Sequence, residues 1–325
     1  MDYLWLVLGL VLILVGANAL TDGASALARK WGVSDLVIGL TVVAFGTSAP
    51  ELSISMISAF KGSAALAVGN VVGSNIFNVF MIIGVVALVR PIVIVRSVME
   101  NEIPLVALAS VALLAIGSGP FLGITGERVV DRIDGILLLL FFMVFMRYTF
   151  SQATSGSGDG PADPTAENVA AKAPMPMWKS VVWVVAGLAG LIYGGDRFVA
   201  GASGIARSLG MSEAVIGLTI VAAGTSLPEL ATSVAAALKG KPGIAIGNVI
   251  GSNIFNIFLV LGLTSTIIPL PFGAIGVADL LVMTVAAFLF WFFGWRFGKR
   301  TVTRWEGGFL VACYVGYIIW QVAMA

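Results

Sequence analysis

Residues 38–80 read IGLTVVAFGTSAPELSISMISAFKGSAALAVGNVVGSNIFNVF, and residues 216–258 read IGLTIVAAGTSLPELATSVAAALKGKPGIAIGNVIGSNIFNIF. The two stretches align without a gap at an offset of 178, with 27 of 43 positions identical. Similarity at a fixed offset marks one structural unit written twice. The match runs outward in both directions. Upstream, Gly16, Gly23-Ala24-Ser25 and Ala28-Arg29 pair with Gly194, Gly201-Ala202-Ser203 and Ala206-Arg207. Downstream, Arg132-x-Asp134-Gly135 pairs with Arg304-x-Glu306-Gly307 after a six-residue shortening. The chain therefore divides into repeats at 1–150 and 179–325. Between them lies 151–178, whose Ser, Gly, Pro, Ala and Asp content is that of a solvated linker.

Composition says where such a unit lives. Of 325 residues, 59% are hydrophobic and 11% charged, and the mean hydropathy is +1.03. Soluble domains hold roughly 45–50% apolar and about 25% charged residues. The reading is an all-α integral membrane protein. A net charge of +1 leaves no electrostatic footprint for nucleic acid. The chain has no histidine and one cysteine, Cys313. That excludes His-based catalysis, imidazole or thiolate metal cages and an internal disulfide, and no resident cofactor is expected.

Apolar runs of about 20 residues span a bilayer. Ten occur, near 3–20, 36–60, 65–89, 103–118, 133–148, 180–198, 212–238, 244–266, 277–296 and 307–323. Ala17-Asn18-Ala19 resembles a signal cleavage site. The segment before it carries Asp2 and no basic residue, so an uncleaved span is expected. Five spans per repeat is an odd number, so the second repeat must cross the membrane in the opposite sense. The expected architecture is ten helices as two inverted-topology five-helix repeats, with substrate bound near the midplane between them. With both termini outside, thirteen of the eighteen Lys and Arg fall on the inner side, as the positive-inside rule requires. A multi-pass protein of the cell membrane follows.

Glu51 and Glu229 lie deep in apolar spans, where a carboxylate marks function by default. Ala44, Thr47, Ser48 and Glu51 fall at i, i+3, i+4 and i+7, one helix face, and Ala222, Thr225, Ser226 and Glu229 repeat it. Pro50 and Pro228 remove a backbone donor and crowd the carbonyls of Gly46 and Gly224, so each helix should bend and free carbonyls toward a cavity. The next span adds Ser74 and Asn78, matched by Ser252 and Asn256. Every ligand in this inventory is oxygen, the preference of hard cations such as Ca²⁺ and Na⁺. Asn75 and Asn253 sit one position off that face and are read as structural. Gly69/Gly73 and Gly247/Gly251 are read as close-packing positions.

Two copies of GTSxPE followed by GSNxxN resemble the α-repeats of the sodium/calcium exchanger family of the calcium/cation antiporter superfamily. The resemblance implies electrogenic exchange of Na⁺ for Ca²⁺ by alternating access, with the first and sixth helices sliding over the other eight. It implies ion ligands at Ala44, Thr47, Ser48, Glu51, Ser74, Asn78, Ala222, Thr225, Ser226, Glu229, Ser252 and Asn256. It also implies Ca²⁺, Na⁺ and the bilayer as partners, with a monomer sufficient for transport. One departure stands out: the well-known sodium/calcium exchangers that the chain resembles carry Asp where it has Asn256. An H⁺/Ca²⁺ antiporter of the same superfamily and, in another class, a cation channel remain open at this point. A hydrolase built on Ser48 or Ser226 lacks a base.

Overall fold

The computed structural model describes residues 1–119, 128–154, 175–210, 222–296 and 300–324. The fold is all-α, with helices α1 (Asp2–Trp31), α2 (Asp35–Thr47), α3 (Ala49–Phe60), α4 (Ala64–Val89), α5 (Val98–Gly117) and α6 (Arg132–Thr154) in the first half. The second half holds α7 (Met177–Ser208), α8 (Leu227–Leu238), α9 (Pro242–Ile267), α10 (Val277–Trp295) and α11 (Arg304–Met324). Among the described residues eight helices are long and apolar enough to cross a membrane, or nine if the bent pair α2–α3 is one span. The expected span at 212–238 is seen from Ala222 onward, its first part lying outside the described residues. So do most of the linker residues, 155–174, while α6 itself runs on to Thr154.

Turn chemistry follows the repeat. Gly32 ends α1 at φ +67°, and its counterpart Gly210 has φ +83°. Gly62 (φ +78°) and Gly240 (φ +69°) hold the same relation in the α3–α4 and α8–α9 turns. These left-handed conformations favour glycine over residues bearing a Cβ. After Gly32, Ser34 accepts a hydrogen bond from Val37 N (3.2 Å) and starts α2.

The centre of the molecule is α4 and α9, which are 78% and 94% buried, whereas α11 is only 11% buried. Around them, four two-residue strands close the loops: β1 (Ile92–Val93) pairs antiparallel with β4 (Thr301–Val302), and β2 (Val129–Val130) with β3 (Leu270–Pro271). Beyond these pairs, Ile94 N donates to Arg300 O (2.7 Å) and Phe272 N to Arg128 O (3.0 Å). Each strand thus pairs with one that is not its repeat equivalent. Arg128 also donates to Gly117 O and Ile275 O at 2.6 and 2.9 Å, knitting that end together.

α1 and α7 pack against each other over most of their length through glycines at seven-residue spacing: Gly9, Gly16 and Gly23 on one, Gly187, Gly194 and Gly201 on the other. A Cβ on Gly16 would meet Gly187 O and Leu191 N at 2.8 Å; on Gly9 it would meet Phe198 N at 2.4 Å. The contacts run in opposite chain directions, so the helices are antiparallel. Backbones this close permit no side chain, which is how small residues drive helix association without a hydrophobic force in lipid. Gly247 and Gly251 likewise face the α2 backbone at Leu36 and Leu40. Gly16→Val should cost about 1–3 kcal/mol or more by forced separation, lowering the melting temperature in detergent. Gly316→Ala, where nothing lies within 4 Å, should not lower it, since alanine favours the helix over glycine.

Candidate functional site

The α2–α3 helix is interrupted at Ser48 (φ −84°, ψ 4°), and the two segments meet at a bend of 41°. Pro50 falls in the first turn of α3, where its missing N–H costs nothing. Glu51 follows in the same turn. The second half copies the arrangement: Ser226 (φ −93°, ψ 9°) precedes α8, with Pro228 and Glu229 in its first turn. The sequence thus places each buried carboxylate at a helix N-terminus, where unpaired N–H groups and the helix dipole favour negative charge. Both glutamates are fully buried.

The halves are joined by crossed hydrogen bonds. Ser48 Oγ donates to Glu229 Oε1 (3.2 Å), and Ser226 Oγ donates to Glu51 Oε1 (3.3 Å). Ser252 Oγ lies 3.5 Å from the same Glu229 oxygen, and Ser74 stands beside the Glu51 carboxylate. Thr47 Oγ1 donates across to Asn248 Oδ1 (3.0 Å), and Thr225 Oγ1 to Asn70 Oδ1 (3.5 Å). Serine and threonine from one half therefore complete the carboxylate and amide of the other.

α4 and α9 supply the remaining wall. Each widens into π-helical turns at equivalent places, Phe77–Ile83 and Phe255–Leu261, just where Asn78 and Asn256 project. Such widenings are frequent at functional sites. Asn78 Nδ2 donates to Asn253 Oδ1 (3.1 Å), so Asn253 positions another site residue. Asn75 Nδ2 is 4.0 Å from Met283 Sδ.

Thr47, Ser48, Glu51, Ser74, Asn78, Ser226, Glu229, Ser252 and Asn256 are all buried, with Thr225 half-buried, and the serines at 48, 226 and 252 meet the two carboxylates. Ala44 is buried in the turn before the break. Ala222 opens the short helical turn Ala222–Gly224, and its side chain lies outside the described residues. Among the buried oxygens, Glu51 Oε2, Glu229 Oε2, Asn78 Oδ1 and Asn256 Oδ1 have no hydrogen-bond partner. Asn70 and Asn248, with Ser55 and Ser233, are participants that the motif reading passed over. Their signal was present: each is identical between repeats, and Asn70, Ser74 and Asn78 fall at i, i+4 and i+8.

A family model described as sodium/calcium exchanger protein matches residues 1–151 and 179–323. The chain belongs to the sodium/calcium exchanger protein family. Its relatives include the sodium/calcium exchanger MaX1 of Methanosarcina acetivorans, 32% identical over 98% of this chain and 97% of that protein. The inner membrane protein YrbG of Escherichia coli is 36% identical over 94% of each. Among solved structures, the sodium-calcium exchanger NCX_Mj soaked with Na⁺ and Ca²⁺ superposes with a TM-score of 0.81, at 31% identity, over 98% of this chain and 97% of that one. This is a family of transporters. The site offers two carboxylates and neutral oxygens. Among the described residues no three acidic, His or Cys side chains cluster as in a permanent metal centre.

The crossed bonds are testable by stability alone. In a double-mutant cycle, Ser48→Ala and Glu229→Gln should couple by about 0.5–3 kcal/mol, as contacting pairs do. Ser226→Ala and Glu51→Gln should behave alike, and both couplings should exceed that between Ser48 and Glu51. Unfolding equilibria in detergent measure all three.

Proposed function

We propose that this protein is a secondary-active, electrogenic antiporter that exchanges Na⁺ for Ca²⁺ by alternating access. Its ions bind near the membrane midplane between Glu51 and Glu229. Further ligands come from Thr47, Ser48, Ser74, Asn78, Thr225, Ser226, Ser252 and Asn256, with backbone oxygens at Ala44 and Ala222. The observation that carries this reading is the set of buried oxygens left without partners on Glu51, Glu229, Asn78 and Asn256. A polar oxygen out of water and unpaired is costly, and a hard cation relieves that cost. The family assignment and the resemblance to MaX1 and NCX_Mj point the same way.

The architecture we infer is ten spans in two inverted repeats, 1–150 and 179–325, joined by an inner linker at 151–178. Both termini face outward from the cell membrane, and one monomer is the transporting unit. In support, β1 and β3 are repeat equivalents, as are β2 and β4, yet the pairs formed are β1–β4 and β2–β3. With α5 separating β1 from β2, equivalent loops of the two halves sit at opposite ends. Parallel halves would bring them to the same end.

Flux of purified protein in vesicles tests the function, with Na⁺, K⁺ and H⁺ gradients imposed in turn. Ca²⁺ uptake should follow the Na⁺ gradient at fixed pH, and Glu51→Gln and Glu229→Gln should each abolish it. Removing one carboxylate leaves a divalent ion under-neutralised out of water, a penalty of several kcal/mol. Uptake driven by H⁺ alone would mark the proton-coupled antiporter instead, and unitary currents without a counter-ion a channel. Topology has its own test. In a chain freed of Cys313, Lys61→Cys should label from outside and Lys239→Cys from inside; labelling of both from one side would sink the inverted arrangement.

A further inference from the structure

Asn70 and Asn248 make the same three contacts in opposite halves. Asn248 Nδ2 donates to Glu229 O (3.2 Å) and Ser233 Oγ (3.0 Å), and its Oδ1 accepts from Thr47 Oγ1 (3.0 Å). Asn70 Nδ2 donates to Glu51 O (3.2 Å) and Ser55 Oγ (3.1 Å), and its Oδ1 accepts from Thr225 Oγ1 (3.5 Å). Each amide therefore grips the backbone of one half's glutamate and the threonine of the other half.

The geometry assigns Asn70 and Asn248 as positioning residues that fix the direction of the Thr225 and Thr47 hydroxyl protons, and so keep oxygen lone pairs turned toward the transported cation. The inference rests on the cation-exchange reading above. Its logic is donor and acceptor counting. A backbone carbonyl can only accept, so the amide –NH₂ must face Glu229 O, and Oδ1 must then face Thr47. Oδ1 can only accept, which obliges Thr47 to donate. A hydroxyl has one proton; once that is given to Asn248, what it presents elsewhere is lone pairs.

That commitment matters because the Thr47 proton has competing acceptors. Ala44 O, which already accepts from Ser48 N (2.9 Å), lies 3.4 Å from Thr47 Oγ1, and the Glu229 carboxylate stands beside it. A proton given to either would occupy an oxygen offered to the ion and aim the O–H at the site. Asn248 Oδ1, at 3.0 Å, is the nearer of the two measured acceptors. The amide thus keeps the hydroxyl lone pairs, and the second lone pair of the Ala44 carbonyl, free for the ion. Asp in its place would still accept from Thr47 but could not donate to Glu229 O, which explains why an amide stands at both positions.

The test is a double-mutant cycle read in the half-saturating Na⁺ and Ca²⁺ concentrations of vesicle flux. Asn248→Leu should raise them about tenfold, the worth of one hydrogen bond to a site group, with a smaller change in the rate at saturation. In a Thr47→Val background, which has no hydroxyl proton to direct, Asn248→Leu should have no further effect on half-saturation. If its effect persists in full there, Asn248 merely supports the helix and the inference falls. Asn70→Leu with Thr225→Val forms the reciprocal cycle, and should either Leu variant fail to fold, Asn248→Ser and Asn70→Ser replace them. Wild-type protein without cation flux would instead refute the exchange reading, a result distinct from flux without coupling.

Discussion

Two carboxylates buried in a membrane protein, neither paired with a cationic side chain among the described residues, set the terms for the rest of the structure. Among the described residues no ion pair includes Glu51 or Glu229; the pairs present join Arg96 to Glu100, Arg197 to Asp196, Lys239 to Asp22, Lys241 to Asp35 and Arg296 to Glu306. Stabilisation must come from dipoles. The helix breaks at Ser48 and Ser226 supply two N-termini, and the crossed serines supply O–H donors. A fixed Lys or Arg would stabilise the carboxylates more strongly and would also occupy the place of a cation. Weak, neutral donors hold the site in shape and leave its charge unspent.

The helices around the site are held in different ways. α1 and α7 are locked backbone to backbone by their glycines, while α4 and α9 are fixed in the centre by burial. The ties between these groups are unequal. Lys239, in the turn after α8, holds α1 through Asp22 (2.7 Å) and Asn18 O (2.9 Å). Its repeat equivalent Lys61 is exposed and has no ion pair among the described residues. Asp196, the equivalent of Asn18, pairs with its neighbour Arg197, which lies over the Trp5 and Tyr193 rings. Among the described residues, a nearly symmetric sequence thus makes different polar ties at these two equivalent turns.

Much of this was legible in the chain because the physics is local. Proline in the first turn after a break, a carboxylate beside it and glycine at a left-handed turn all announce themselves, and each announcement is made twice. The limits of α1 and α7 were less legible. Apolar runs end near residues 20 and 198, but the helices reach Trp31 and Ser208. The reason is that Thr21, Ser25 and Ser203 are polar yet buried against other helices, with Thr21 bonding back to Ala17 O (2.8 Å). Hydropathy reads such residues as an exit to water. The π-helical turns at Phe77–Ile83 and Phe255–Leu261 are not seen in apolar periodicity, which does not register one extra residue per turn. The crossed contacts of Asn70 and Asn248 depend on how one half docks on the other. Spacing within a helix showed which face they share, but not what lies opposite.

Asn256 shows how far the twofold relation holds. Its equivalent Asn78 donates to Asn253, but Asn256 has both polar atoms unpartnered, and so does the Oδ1 of Asn75, which stands where Asn253 does. The first-half amide is thus anchored and the second-half amide is not. A buried amide with neither end satisfied is unfavourable by about 1–3 kcal/mol, so its environment is completed only when something polar arrives. In the exchange reading that partner is the ion, which takes the amide oxygen. An amide lends coordination without charge, leaving Glu51 and Glu229 to carry the whole formal charge of the site. One divalent or two monovalent cations neutralise it, and any further monovalent ion must be held by neutral oxygens alone. Aspartate at that position would alter the count by one. The identity of a single side chain, placed by a π-helical turn, therefore sets how much positive charge the site can hold at balance.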